Sequence, residues 1–274
     1  MKNATDFASN RQVKYCAGCG DYAILAALKK TFAALDLDPR HVAVISGIGC
    51  SSRTPYYLST WGFNTIHGRA GAVASGLKIA RPDLSVWQMT GDGDCTAIGG
   101  NHFIHELRRN VDINIVLFNN QIYGLTKGQY SPTTPQGQVT KTSPYGTIER
   151  PFNVGELVLG AKGTFFARTL DKELKLTQEL LTASYRHKGT AVLECLTNCV
   201  VWNDGAHKNR EYLTVHDGDS ITIDGEQLIY DSHNKALAQK ALAYFDGDKH
   251  PMLLGVIYQE QQPTYEELLY QQMQ

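Results

Sequence analysis

The tetrapeptide Gly91-Asp92-Gly93-Asp94, with Asn119-Asn120 beginning 25 residues after Asp94, constrains this chain more than any other feature. Each closes an apolar run, Ser85 to Thr90 in the first case and Ile113 to Phe118 in the second. Both runs read as buried strands, and the segment between them has helical spacing at about 96–109. Strands joined by a helix lie parallel, so both tips emerge at one sheet edge and face one crevice. Asp92 offers a carboxylate there and Asn120 an amide oxygen. These are hard ligands suited to Mg²⁺, which usually keeps places for phosphate oxygens. Gly91 and Gly93 let a diphosphate come close to the backbone. A lone Gly-Asp-Gly is often only a tight turn; the ordered pair at two strand ends carries the inference.

The remaining pattern extends this unit. Ile24, Leu25, Leu28, Phe32 and Leu35 repeat at helical spacing behind Asp21, whose charge suits a helix N-terminus. Val42 to Ile45 reads as a strand entering the glycine loop Ser46-Gly47-Ile48-Gly49-Cys50. A small-residue helix is expected over 69–79, and a long loop rich in Gly, Pro, Ser and Thr over 124–152, of the kind that is functional or mobile. Then follow a helix near 154–161, a strand at 164–168, a helix near 171–186 and a strand at 190–196. The alternation predicts an α/β fold, a mostly parallel sheet with helices on both faces. The main domain is expected to cover 1–205. Residues 206–274 read as a C-terminal extension packing on that domain or on a partner, with a hairpin over 213–229 around Asp217-Gly218.

The 274 residues suffice for a sizeable core. A net charge of −1 gives no electrostatic case for nucleic acid or an anionic membrane. No apolar run reaches the roughly 18 residues of a spanning helix. Met1 to Phe7 lacks a signal-peptide core, so a cytoplasmic protein is expected. In that compartment the six cysteines read as thiols or metal ligands. Cys16 and Cys19 form a CxxC before the first helix, Cys50 lies in the glycine loop, and Cys199 follows the strand containing Cys195. Three segments ending at one edge can therefore gather four thiolates, Cys16, Cys19, Cys50 and Cys199. Cys195 reads as a small buried hydrophobe. Cys95 reads as packing beneath the crevice without a ligand role. Four thiolates suit zinc as well as an iron–sulfur cubane, and spacing does not separate the two.

Gly91-Asp92-Gly93 with Asn119-Asn120 resembles the signature of thiamine diphosphate enzymes. Five motifs in order carry a narrower resemblance: Tyr15-Cys16-Ala17-Gly18-Cys19-Gly20-Asp21, Ser46-Gly47-Ile48-Gly49-Cys50-Ser51, Ile66-His67-Gly68-Arg69-Ala70, Gly91-Asp92-Gly93-Asp94, and Asn119 to Gln129. Together, over about residues 11–205, the chain resembles the β subunits of 2-oxoacid:ferredoxin oxidoreductases. Ser51 to Tyr57 is most similar to the 2-oxoglutarate-acting members.

The resemblance implies the diphosphate-binding half of a thiamine diphosphate fold. It implies Mg²⁺ held by Asp92, Asn120 and the Ile122 carbonyl, and a [4Fe–4S] cluster held by Cys16, Cys19, Cys50 and Cys199. Gly49, His67, Gly68, Gly91, Gly93, Asp94, Gly124 and Leu125 complete the cofactor-binding positions. Lys127 matches a position that meets the substrate carboxylate, with Arg53 as a second cation. A partner α subunit is expected to supply the carboxylate facing N1′ of the aminopyrimidine. The implied reaction is oxidative decarboxylation of a 2-oxoacid with coenzyme A, electrons passing to ferredoxin, or its reverse. Two other readings stand beside it: a non-oxidative thiamine decarboxylase or synthase with structural zinc, and an electron-transfer subunit whose thiamine site is degenerate.

Overall fold

The computed structural model describes residues 2–246 and 250–274. Among these residues ten strands form: β1 (Val42–Ser46), β2 (Trp61–Asn64), β3 (Ser85–Gly91), β4 (Asn114–Asn119), β5 (Phe165–Leu170), β6 (Ala191–Leu196), β7 (Tyr212–Val215), β8 (Ser220–Ile223), β9 (Glu226–Ile229) and β10 (Met252–Gln259). The helices are α1 (Asp21–Ala34), α2 (Ala70–Ala80), α3 (Gly100–Arg109), α4 (Val154–Gly160), α5 (Leu174–Arg186), α6 (Lys235–Phe245) and α7 (Tyr265–Gln272). Eight strands make one sheet in the order β2-β1-β3-β4-β6-β5-β10-β7, and only the β5–β10 pair is antiparallel.

Period-two alternation divides the strand side chains between two cores. Val42 and Val44, Val116 and Phe118, Ala191 and Leu193 face α1 and α5. Ala43 and Ile45, Ile115 and Leu117, Val192 face the side covered by α2, α3, α4 and α6. Helices therefore cover both faces, as the alternating pattern predicts. In α1, Ile24, Leu25, Leu28 and Phe32 are buried. Each contributes about 1.5–3 kcal/mol by leaving water, so Leu28→Ala alone is expected to cost about 2–5 kcal/mol.

Several elements differ from the sequence reading. The helix expected over 96–109 splits into a wide turn over Asp94–Ile98 and α3 proper. The break falls at Gly99, where an added Cβ would strike the Asp94 carbonyl and crowd Gly68. The helix expected from 171 begins at Leu174, because the Asp171 N–H continues the ladder to Leu196 O and its carboxylate accepts from Asn198 N. The hairpin turns at Asp224-Gly225, not Asp217-Gly218. Asp224 and Gly225 both have positive φ (53° and 81°), which a two-residue hairpin turn requires, whereas of the other pair only Gly218 does. β7 belongs to the main sheet, beside β10, so the segment after 205 adds strands to the same sheet that carries β3 and β4. Edge strand β2 was not anticipated, since its four residues are all exposed and show no buried face. Among the described residues no helix is long and apolar enough to cross a membrane.

Candidate active site

The parallel registers bring the candidate residues to one edge. Gly91 is opposite Phe118, and Asn119 is opposite Leu196, so the loops after β3, β4 and β6 leave the sheet together with the loop after β1. Asp21, Gly49, Cys50, His67, Asp92, Asp94, Asn120, Ile122, Gly124 and Leu125 line a single crevice there.

Asp92 is 2 % exposed, and its Oδ2 accepts the hydroxyls of Ser131 at 2.5 Å and Thr133 at 2.7 Å. Burial pushes its pKa up to about 6, against the pull of those two hydroxyls. A buried carboxylate of this kind suits a cation. Asn120 closes a short turn in which its Oδ1 accepts the Ile122 N–H at 3.1 Å, with Gln121 in the left-handed region (φ 57°).

Asp94 lines the crevice too, and its carboxylate is bonded to the loops that form it. Its Oδ1 accepts from Ile48 N, His67 Nδ1 and Gly68 N, and its Oδ2 from the Thr90 hydroxyl. It ties three crevice loops together. A side chain at Gly47 would collide with its carboxylate. At Gly93 the room is taken by the Tyr123 ring, whose hydroxyl donates to Gly93 O at 3.0 Å.

The four thiols converge. Cys16, Cys19, Cys50 and Cys199 line one cavity of about 300 Å³. The Cys19 N–H donates to Cys16 O, and Gly20 N donates to Asn198 O, which pins the CxxC turn to the Cys199 loop. A Cβ on Gly124 would lie 3.4 Å from Cys199 Sγ and 3.9 Å from Cys50 Sγ. Burial, followed by the Asp21 carboxylate and neighbouring thiols, pushes Cys50 up to about 12 and raises Cys19 as well. Thiolates become favourable here only with a cation among them. Cys95 and Cys195 are buried away from this cavity, in the two cores.

Among the described residues, the one trio of His, Cys, Asp or Glu with ligand atoms all within 4.8 Å is Asp217, Asp231 and His233. No three cysteine sulfurs among the described residues are that close.

Lys127 and Arg53 both line the thiol cavity and are absent from the lining of the Asp92 crevice. Lys127 is exposed and sits in the left-handed region (φ 78°), in a tight turn where Gly128 packs against Trp202. Arg53 donates to Lys14 O at 3.2 Å. Sequence reasoning missed Ser131 and Thr133. Both lie in the polar loop it recognised, but nothing local indicates which carboxylate they face. It also missed Asp21 as more than a helix start: the carboxylate is 2 % exposed beside the thiols, and burial raises its pKa to about 7.

Residues 47–195 match the family described as thiamine pyrophosphate enzyme, C-terminal TPP binding domain. Over 201 residues the chain is 54 % identical to 2-oxoglutarate oxidoreductase subunit KorB of Mycobacterium tuberculosis, covering 73 % of this chain and 54 % of that protein. The aligned part thus spans about half the length of that relative. Similarity to 2-oxoacid:ferredoxin oxidoreductase 1, subunit beta, of Aeropyrum pernix is 41 % identity over 264 residues, 94 % of this chain and 81 % of the relative. Among solved structures, the 2-oxoglutarate:ferredoxin oxidoreductase from Magnetococcus marinus, with 2-oxoglutarate, coenzyme A and succinyl-CoA bound, superposes with a TM-score of 0.90 at 33 % identity. It covers 98 % of this chain and 89 % of that one.

Proposed function

Because the chain belongs to the β-subunit family of 2-oxoacid:ferredoxin oxidoreductases, we propose that it is the thiamine diphosphate- and cluster-bearing subunit of such an enzyme, acting on 2-oxoglutarate. The reaction is oxidative decarboxylation with coenzyme A to an acyl-CoA and CO₂, two electrons leaving one at a time to ferredoxin, or the reverse. One observation carries this reading: the Asp92 crevice and the thiol cavity share a wall made of Cys50, Asn120, Gly124 and Leu125. A redox centre held by the four cysteines adjoins a cofactor held by Asp92 and Asn120.

Asp92, Asn120 and the Ile122 carbonyl hold Mg²⁺, and with it the diphosphate. Gly49 and Gly91 keep the backbone accessible, Gly68 and Gly93 make room for Gly99 and the Tyr123 ring, and Asp94 and His67 fix the loops around it. Cys16, Cys19, Cys50 and Cys199 hold a [4Fe–4S] cluster. When bound, thiamine diphosphate supplies the carbanion chemistry and the cluster the one-electron acceptor. Lys127 receives the substrate carboxylate: it stands on the loop whose Gly124 and Leu125 line both the crevice and the thiol cavity. Arg53 is the second cation. An α subunit completes the site and supplies the carboxylate for the aminopyrimidine. The solvent-exposed Trp61, Phe63 and Ile66 beside the crevice loops support a partner on that side.

Anaerobic iron, sulfide and zinc analysis of the protein purified with its partner tests this. About four iron and four sulfide per chain are expected. Zinc without sulfide, with oxygen damage excluded, would leave the non-oxidative thiamine enzyme.

A further inference from the structure

An unbroken run of buried polar contacts leads from the crevice sideways across β4, β6 and β5. Thr133 Oγ1 lies 2.7 Å from Asp92 Oδ2 and 2.9 Å from Asn119 Oδ1. Asn119 Nδ2 donates to Glu194 Oε1 at 2.7 Å. Glu194 Oε2 accepts from Arg168 Nε at 2.6 Å, across the β5–β6 pair in which the two are register partners. The other edge of the Arg168 guanidinium makes a bidentate pair with Asp246, at 2.7 and 2.8 Å. Asp92, Thr133, Asn119, Glu194 and Arg168 are each under 5 % exposed. Asp246 directly follows α6 and so belongs to the C-terminal segment.

We propose that Glu194 and Arg168 are positioning residues for Asp92, acting through Asn119 and Thr133, with Asp246 anchoring the run from the C-terminal segment. The inference rests on Asp92 being a metal ligand. The logic follows from donor and acceptor counts. Arg168 only donates, so both carboxylates that meet it act as acceptors. Glu194 therefore takes the Asn119 NH₂, which turns the Asn119 oxygen toward Thr133 and fixes the amide orientation. Thr133 has one proton and two acceptors, Asp92 Oδ2 and Asn119 Oδ1. The proton goes chiefly to the charged and nearer Asp92 Oδ2, with Asn119 Oδ1, which also accepts the Gln121 N–H, as the weaker arm of a three-centre bond that keeps the Thr133 oxygen beside Asp92. Asn119 also leads directly into Asn120, and its own carbonyl is held by Thr197 N and His207 Nε2. The run thus holds both proposed side-chain metal ligands from behind. Buried ion pairs add little net stability compared with apolar packing, so this one is better accounted for by orientation than by stability.

The test uses the complex purified with its partner subunit and stripped of cofactor. The readout is the Mg²⁺ concentration needed for thiamine diphosphate binding by equilibrium dialysis, with thermal melting in EDTA alongside. Thr133→Val and Glu194→Gln should each weaken apparent Mg²⁺ affinity about 10–100-fold. Thr133→Ser should restore it. The double variant should lose little more than the worse single one, because the two act in series. Asp246→Asn, at the less buried end, keeps an oxygen for Arg168 and should weaken it less. Unchanged Mg²⁺ affinity with lowered melting temperatures would reduce the run to a structural role and overturn the proposal, as would fully additive losses. If the unaltered complex bound thiamine diphosphate without regard to Mg²⁺, the metal assignment itself would fall, and this inference with it.

Discussion

His67 Nδ1 stands 2.6 Å from Asp94 Oδ1, and the same oxygen accepts the backbone N–H groups of Ile48 and Gly68. One buried carboxylate oxygen thus joins the loop after β1 to the turn before α2. Asp94→Ala would orphan two backbone donors, at about 1–3 kcal/mol each. Asp94→Asn can keep an oxygen toward them while the Thr90 hydroxyl turns to accept. Denaturant unfolding should show the Ala variant losing about 2–6 kcal/mol and the Asn variant under about 2 kcal/mol. Equal losses would count against this account.

Burial raises Asp92 to about 6, above its ordinary 3.8. Its folded pKa exceeds the unfolded one, so the metal-free fold is favoured at low pH and loses that advantage as pH rises from about 4 to about 6. Mg²⁺ must displace the proton below pH 6, so its apparent affinity should fall about tenfold per pH unit there. Stability of unaltered protein minus that of Asp92→Asn, followed against pH in EDTA, isolates this group from Asp21, which burial also raises. A flat difference would refute the assignment.

Alanine at Cys16, Cys19, Cys50 or Cys199 should lower iron and sulfide content and bleach absorption near roughly 400 nm, where thiolate–iron centres absorb. Alanine at Cys95 or Cys195 should leave both intact, because these two pack in the cores. Loss of iron from Cys195→Ala without unfolding would reassign the ligands.

Lys127→Ala should raise the KM for the 2-oxoacid about 10–100-fold, the worth of one charge-assisted hydrogen bond, with iron content and thiamine binding unchanged. Arg53→Ala should have a smaller effect. An unchanged KM would return Lys127 to the solvent-facing cations around the thiol cavity.

The chain without its α partner should not decarboxylate a 2-oxoacid when supplied with thiamine diphosphate and Mg²⁺. Activity of the isolated chain would mean that the carboxylate serving the aminopyrimidine lies within these 274 residues.

Much of the site is legible in the sequence because parallel topology converts local pattern into position. Once Ser85 to Thr90 and Ile113 to Phe118 read as strands joined by a helix, Asp92 and Asn120 must emerge at the same edge, and the structure has them lining one crevice. Cys50 and Cys199 follow strand ends by the same argument, and the four thiols do meet in one cavity. What tertiary structure alone decided is which distant polar group faces which. Thr133 finds Asp92 across 41 residues and Arg168 finds Asp246 across 78, neither with any periodic signal. Two Asp-Gly pairs compete for the hairpin, and φ selects Asp224-Gly225. Strand β10 enters antiparallel beside β5, a pairing that no local pattern marks. Periodicity and turn chemistry act over a few residues, so they set elements and their ends. Partner choice between buried polar groups depends on close packing across the whole chain, which no local stretch encodes.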